Sequence, residues 1–168
     1  MVKTLLLIRH ANTEQGERGS NDFDRHITRL GNRNAAHAGK YLVNNKLMPD
    51  LLLCSKAVRV RETAEVVASQ LKFSERHIRY EDELYEASVR ILFKAVNNID
   101  EKYQRVAMIA HNPGLTYLAD YLTSSPLGTM VPASIVIINF ESVTWAEVSQ
   151  NSGQLEGYID PEASEIPD

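Results

Sequence analysis

The sequence lacks several features that mark specialised classes of protein. It contains one cysteine in 168 residues, so an internal disulfide is impossible and a reducing compartment, the cytoplasm, is expected. It has no block or stripe of basic residues and a formal net charge of −4, which argues against a nucleic-acid partner and a polybasic membrane anchor. The apolar run at residues 5–8 is much too short for a signal-peptide core or a membrane span. These absences favour a cytoplasmic protein without a nucleic-acid or membrane partner.

Apolar residues occur in short continuous runs that alternate with helix-like patterns. The continuous runs predict strands that are buried on both faces, at residues 5–8, 51–54, 106–110 and 135–140. Apolar residues at helical spacing predict helices over residues 32–47, 60–71 and 88–99 and a fourth after Pro113. Alternating strands and helices predict an α/β fold, a three-layer α/β/α sandwich with a mostly parallel central sheet.

The length and the patterning also predict how the chain is organised. Residues 1–150 are expected to form a single domain. Residues 151–168 are polar and acidic, without a long apolar pattern, and are expected to pack loosely or to be disordered. A short edge strand is predicted at residues 145–148, and another short strand is suggested after His77.

Three polar residues come directly after predicted strands. His10 follows the first strand, Ser55 the second and His111 the third. Ligands of parallel α/β sheets bind beyond the carboxyl ends of the strands, so all three residues are expected at one ligand-binding edge. Arg9 precedes His10, and an arginine at a buried strand end needs an anion or a carboxylate. Because Arg binds phosphate with a fork of donors and His can attack phosphorus, this pair predicts phosphoryl chemistry.

A second positive element lies where the chain leaves the second strand and enters a helix. Arg59 is near the start of that helix, where backbone N–H groups and the helix dipole favour an anion. Arg61 is expected to be a solvated surface charge. A cysteine phosphatase is the alternative at this segment, but the spacing from Cys54 is one residue too short to Arg59 and one too long to Arg61. Cys54 is therefore predicted to be a buried strand residue.

Four segments in this order resemble motifs of the histidine phosphatase superfamily, which is also called phosphoglycerate-mutase-like. They are residues 7–11, 25–31, 55–63 and 111–113, and the resemblance extends to about residue 140. The chain has no large lid segment between Arg59 and His111, which makes it similar to the compact SixA-like branch of phosphohistidine phosphatases. The resemblance implies a phosphoglycerate-mutase-like fold and a reaction through a phosphorylated histidine.

The resemblance also implies roles for individual catalytic residues. His10 would be the nucleophile that becomes transiently phosphorylated. Arg9, Arg59 and His111 would surround the phosphoryl oxygens, so that positive charge takes the place of a metal ion. No metal-ligand spacing appears in the sequence, and neither a metal nor another cofactor is expected.

Arg25 and Thr28 lie in the segment that matches the Arg-Pro-Leu-Thr motif of the compact branch. Arg25 would add a contact to the substrate, and Thr28 would support the pocket. The chain departs from the family pattern at three positions. Ala11 replaces a glycine that is usual in larger members, Asn12 replaces the acidic residue that follows it, and His26 replaces the proline of the motif.

Glu86 has two interpretations. Larger members donate a proton from a glutamate in a Leu-x-Glu segment, which residues 84–86 match. Compact members often lack this acid, and Glu86 would then belong to a solvated acidic turn. His26, His37 and His77 have no motif support and are interpreted as structural or surface residues.

Three functions remain open from the sequence. The first is a phosphohistidine phosphatase that acts on a phosphorylated protein, such as a phosphotransfer domain of a signalling relay. The second is a metal-independent phosphatase of small phosphate esters, and the third is a non-catalytic phosphate-binding module. Mutase activity is disfavoured because the chain lacks the insertions that hold a sugar-like substrate. The sequence does not fix the oligomeric state, and a monomer is expected.

Overall fold

The computed structural model of the chain describes residues 1–163, which form six strands and four α-helices. The strands are β1 (Val2–Arg9), β2 (Leu51–Ser55), β3 (Ile78–Glu81), β4 (Arg105–Ala110), β5 (Ile135–Glu141) and β6 (Gln154–Ile159). The helices are α1 (Arg29–Asn44), α2 (Val58–Leu71), α3 (Val89–Asn97) and α4 (Gly114–Thr123). None of these helices is long and apolar enough to cross a membrane.

The six strands form one sheet in the order β3-β2-β4-β1-β5-β6. The first four strands of that order run parallel to one another, whereas β5 is antiparallel to β1 and β6 is antiparallel to β5. One apolar cluster joins the sheet to α3 and α4, and a second joins its other face to α1 and α2. The predicted three-layer sandwich with a mostly parallel sheet is therefore confirmed.

The four predicted helices and the four main predicted strands are all present, with ends that differ by a few residues. β3 confirms the short strand suggested after His77. The sixth strand differs from expectation, because residues 154–159 pair with β5 and are not loosely packed. Its half-buried residues do not alternate cleanly, and the pairing shifts register between Ile137 and Ile138. Such a strand carries little of the period-two pattern that identifies strands in a sequence. Residues 164–168 of the predicted tail lie outside the described residues.

The edge strand predicted at residues 145–148 is wrong. Trp145–Glu147 form a short 3-10 helix, which begins with a capping box between Thr144 and Glu147. The Trp145 side chain is fully buried, and its indole N–H donates to the carbonyl oxygen of Tyr103 at 2.7 Å. A buried aromatic anchor and local capping therefore determine this segment, instead of pairing with the sheet.

A glycine allows α1 to pack against the loop that follows β1. Thr28 caps the helix, since its side-chain oxygen accepts from the backbone N–H of Gly31 at 3.0 Å. The backbone N–H of Thr28 donates to the carbonyl oxygen of Asn12 at 2.8 Å. A Cβ atom on Gly31 would lie 2.3 Å from that same carbonyl oxygen, a distance that no real contact adopts. The close approach of α1 to this loop therefore requires glycine.

We predict that Gly31→Ala lowers the free energy of unfolding by about 1–3 kcal/mol, because the backbone must move to admit the methyl group. A Gly-to-Ala change inside a helix ordinarily stabilises it by about 0.5–1 kcal/mol. The expected change in the free energy of unfolding therefore has the opposite sign to the change that helix propensity alone would give. Gly157→Ala is the matched control, since its Cβ would make an ordinary contact of 3.5 Å. Urea unfolding measures both variants, and a Gly31→Ala protein as stable as the wild type would contradict the prediction.

Candidate active site

Four predicted residues meet at the carboxyl edge of the sheet. Arg9 ends β1 and His10 follows it, His111 follows β4, and Arg59 lies in the first turn of α2. They line a polar cavity of about 400 Å³. The other residues that line the cavity are Ala11, Asn12, Thr13, Asp22, Arg25, Glu86, Asn112 and Pro132.

His10 is held as a neutral imidazole, and within residues 1–163 only one of its ring nitrogens has a hydrogen-bond partner. Its Nδ1 lies 2.9 Å from the carbonyl oxygen of Ala11. Because a carbonyl oxygen only accepts, Nδ1 carries the proton and Nε2 keeps its lone pair. Burial foremost, and then the positive charges of Arg59, Arg9 and Arg25, lower the pKa of His10 to about 4. His10 can therefore attack an electrophile through Nε2 at neutral pH.

His111 is also neutral and is fixed at both ring nitrogens. Its Nδ1 lies 3.2 Å from Nη2 of Arg59, and its Nε2 lies 2.8 Å from Oγ of Ser55. A guanidinium only donates, so Nδ1 accepts and Nε2 donates to the Ser55 hydroxyl. Burial, followed by the charge of Arg59, lowers the pKa of His111 to about 3. Ser55, the third strand-end residue, thus orients His111 and does not line the cavity.

Arg59, which is buried, and Arg9, which is half-buried, are donors at the cavity that protein groups satisfy only in part. Arg9 Nη1 donates to the carbonyl oxygen of Met130 at 2.7 Å, and Arg59 Nη1 donates to that of Asp22 at 2.7 Å. Within residues 1–163, Nε of both arginines is buried and has no hydrogen-bond acceptor. Buried donors of this kind normally have partners, so the cavity offers what an oxyanion needs.

Asp22 is a site residue that sequence analysis missed. Its Oδ2 accepts from the Tyr85 hydroxyl at 2.7 Å and from Arg59 Nη2 at 3.1 Å. Its Oδ1 forms an ion pair with Nε of Arg25 at 3.2 Å, without hydrogen-bond geometry. The hydrogen bond from Tyr85, then the charges of Arg59 and Arg25, lower the pKa of Asp22. The cavity therefore contains a carboxylate beside its arginines. No signal in the sequence separates Asp22 from its exposed neighbour Asp24.

The remaining predicted site residues divide into two groups. Arg25 and Glu86 line the cavity, and Glu86 has a positive φ of 46°. Thr28 is not one of the lining residues. It caps α1 and binds the carbonyl oxygen of Asn12, so its position fits the support of the pocket that the resemblance implies.

The other histidines and the cysteine lie away from the cavity. His26 is exposed and contacts Glu62 at 3.2 Å, and His37 is buried on α1. His77 packs against Phe73. Cys54 is buried, and its burial raises the pKa of the thiol well above its usual range, which is unsuited to a nucleophile. In residues 1–163 no group of three or more His, Cys, Asp or Glu side chains could hold a metal ion.

Residues 5–92 match the profile of the histidine phosphatase superfamily (branch 1). The matched region contains Arg9, His10, Arg25, Arg59 and Glu86, whereas His111 lies beyond it. Over 96% of its length the chain is 26% identical to an uncharacterised chloroplastic protein of Arabidopsis thaliana, and the match covers 79% of that protein. A match of 26% identity to an uncharacterised protein of Mycobacterium tuberculosis covers 92% of this chain and 99% of that protein.

Solved structures superpose on nearly the whole chain. A candidate SixA phosphohistidine phosphatase from Nakamurella multipartitia superposes with a TM-score of 0.82 at 25% identity, covering 97% of this chain and 98% of that chain. The protein histidine phosphatase SixA in complex with tungstate superposes with a TM-score of 0.79 at 18% identity. The superposition covers 94% of this chain and 97% of that chain. At that identity the second likeness shows the fold alone. The chain belongs to the histidine phosphatase superfamily, branch 1, and its fold is SixA-like.

Proposed function

We propose that this phosphatase hydrolyses phosphohistidine on a protein, through a phosphohistidine intermediate formed on His10. The observation that carries the proposal is the state of His10, which is neutral, with no hydrogen bond to its Nε2 among residues 1–163, in a cavity bordered by the guanidinium groups of Arg9, Arg25 and Arg59. A nucleophile needs this lone pair, and the transferred group needs positive charge around its oxygens. The SixA-like structures add support for phosphohistidine as the substrate class.

The reaction divides into two displacements at phosphorus. His10 Nε2 attacks phosphorus in line with the departing group, so a new N–P bond forms while the N–P bond of the substrate breaks. The departing imidazole nitrogen takes a proton from solvent water at the cavity mouth. Water then attacks phospho-His10, its oxygen bonds to phosphorus, and the N–P bond to His10 breaks. Inorganic phosphate leaves, and His10 is again neutral.

The arginines stabilise the charge on the phosphoryl oxygens in both steps. Arg59 is buried and held by Asp22 and His111, so its guanidinium does not need to reorganise when the substrate binds. Arg9 is held by the hydrogen bond that it donates to the carbonyl oxygen of Met130. We propose that these charges replace a metal ion.

The proposed substrate is a side chain of a protein, such as a phosphotransfer domain of a signalling relay. The side chain of Asp22 is 45% exposed although it touches the buried Arg59, so the cavity opens to solvent at this point. Between Arg59 and His111 the chain builds α2, β3, α3 and β4, and these elements belong to the sandwich instead of forming a separate lid. An open cavity can admit an imidazole carried on another protein.

A phosphatase of small phosphate esters is the second candidate, because Glu86 lines the cavity. Imidazole leaves phosphorus readily, since its conjugate acid has a pKa of about 6.5. An alkyl ester must expel an alkoxide, a far stronger base, and needs a well-placed general acid. Glu86 is at the cavity to serve as that acid, so this residue separates the two functions.

We predict that the enzyme prefers a phosphohistidine protein to alkyl phosphates and cleaves aryl phosphates slowly. Glu86→Gln should leave the phosphohistidine rate within about threefold and lower any alkyl-phosphate rate by about a hundredfold. Phosphate release from each substrate measures both effects, and Glu83→Gln in the same acidic segment is the matched control. If alkyl phosphates are the better substrates and Glu86→Gln eliminates that activity, the second candidate replaces the first.

Catalysis should survive exhaustive chelation of divalent metals. In contrast, Arg59→Lys should lower kcat by about a hundredfold, because an ammonium cannot reproduce the guanidinium fork. Arg61→Lys, on the same helix, should change little and serves as the control. Activity that disappears with the chelator and returns with Mg²⁺ or Zn²⁺ would show that the positive charge of the arginines is not sufficient for catalysis.

The fall of kcat/KM on the acid side should be displaced to a lower pH. An ordinary histidine is half protonated near pH 6.5, whereas the pKa of His10 is lowered to about 4. His10 therefore stays neutral and nucleophilic until the pH approaches 4. We predict that kcat/KM, which reports the free enzyme, does not fall between pH 7.5 and about pH 5 once the titration of an aryl phosphate substrate is subtracted. An acid limb of kcat/KM with a midpoint near pH 6.5 would mean that the pKa of His10 is not lowered.

Asp22 should weaken the binding of anions because it places a negative charge beside Arg59 and Arg25. We predict that Asp22→Asn lowers the Kd of inorganic phosphate by about threefold or more, since a carboxylate no longer repels the anion. Calorimetric titration measures the change. Asp24→Asn, which removes the same charge two residues away, should have a smaller effect. Weaker phosphate binding in Asp22→Asn would instead indicate that Asp22 is needed to hold Arg59 in place.

A further inference from the structure

The segment after β6 is connected to the cavity through a chain of amide hydrogen bonds. Asn12 lines the cavity, and its side-chain oxygen accepts from Nδ2 of Asn34 at 3.0 Å. Asn34 lies on α1 and is almost fully buried. The same Nδ2 also donates to Oε1 of Glu162 at 2.8 Å. The two N–H groups of one amide therefore connect a residue near the end of the described chain to a residue at the cavity.

The chemistry of Glu162 fixes the donor and the acceptor of each hydrogen bond between Glu162, Asn34 and Asn12. An ionised carboxylate can only accept hydrogen bonds, so Asn34 must turn its nitrogen, not its oxygen, toward Glu162. The second N–H on that nitrogen then faces Asn12, which must accept this hydrogen bond with its side-chain oxygen. Glu162 is itself held, because its backbone N–H donates to Asp160 Oδ1 at 2.9 Å and the preceding Pro161 is buried.

The consequence is that the side chain of Asn12 has its amide nitrogen left to offer. Its backbone oxygen is taken by Thr28 and its side-chain oxygen by Asn34. Within residues 1–163 no hydrogen bond uses its side-chain N–H groups. The backbone N–H groups of His10 and Ala11 are already occupied, since they donate to the carbonyl oxygen of Ala110 and to the Thr63 hydroxyl.

We propose that the side-chain amide of Asn12 donates a hydrogen bond to the bound phosphoryl group, and that Glu162, acting through Asn34, is the positioning residue that keeps the Asn12 nitrogen toward the cavity. The inference rests on the proposed function, because it takes the cavity to be the phosphoryl site. An amide turned the other way would direct its oxygen at the anion and repel it. A distant carboxylate thus makes the cavity more receptive to negative charge.

The test is the binding of inorganic phosphate, measured by calorimetric titration. Asn12→Ala should weaken phosphate binding by about tenfold or more, the loss expected for a hydrogen bond to a charged group. Glu162→Ala should weaken it by about threefold to tenfold, because Asn34 can then turn and Asn12 can present either end of its amide. The double variant should bind no more weakly than Asn12→Ala alone, since the two changes interrupt one chain of bonds.

The sign of the Glu162→Ala effect separates this proposal from simple electrostatics. Removing a negative charge should by itself strengthen the binding of an anion. Glu156→Ala is the control, because it removes the same charge from the exposed face of β6, and it should leave phosphate binding unchanged or slightly stronger. Thermal unfolding of each variant confirms that the fold is kept.

Two outcomes would overturn the proposal. One is a Glu162→Ala protein that binds phosphate as tightly as the wild type or more tightly. The other is a double variant whose loss equals the product of the two single losses. Neither outcome depends on turnover. A protein that shows the expected binding pattern but does not hydrolyse phosphohistidine would refute the proposed function and leave this inference standing.

Discussion

Arg59 brings a full positive charge to a position where its side chain is only 4% exposed, and the site is arranged around that charge. A buried guanidinium is costly unless its donors find acceptors. Asp22 supplies a carboxylate and a carbonyl oxygen, and His111 supplies a ring nitrogen. Because Arg59 can only donate, His111 must accept, which fixes the tautomer of His111 and directs its other nitrogen to Ser55. The same charge helps to keep His10 neutral. One buried cation thus fixes the tautomer of His111 and adds to burial, the larger cause, in keeping both histidines neutral.

Residues at strand ends could be predicted because topology alone brings them together. Arg9, His10 and His111 each mark the end of a continuous apolar run, and parallel strands place their carboxyl ends at one edge. Arg59 could be predicted because it opens the helix that follows such a strand. These residues therefore come together at one cavity through the strand topology, with little dependence on other tertiary contacts. The apolar pattern that predicts the sheet predicts their positions as well.

Residues in loops could not be predicted in the same way, because tertiary contacts alone distinguish them. Asp22 resembles Asp24 in the sequence, yet only Asp22 meets Arg59 and Tyr85. Thr28 acts by capping α1, which its motif does not reveal. Residues 145–148 are predicted as an edge strand, whereas the burial of Trp145 against Phe140, its bond to Tyr103 and the capping box before it determine a 3-10 helix. β6 was missed because its half-buried residues lack the regular alternation of a strand.

The proposed mechanism requires His10 to carry the phosphoryl group during turnover. The most direct measurement mixes the enzyme with a substrate labelled on phosphorus, quenches the reaction within milliseconds in base and maps the label by mass spectrometry. An acid-labile, base-stable phosphate is expected on His10 of the wild type. It should still be present in a His26→Ala control and absent in a folded His10→Ala protein that no longer turns over. Label on any other residue, or full turnover by His10→Ala, would contradict the proposed mechanism.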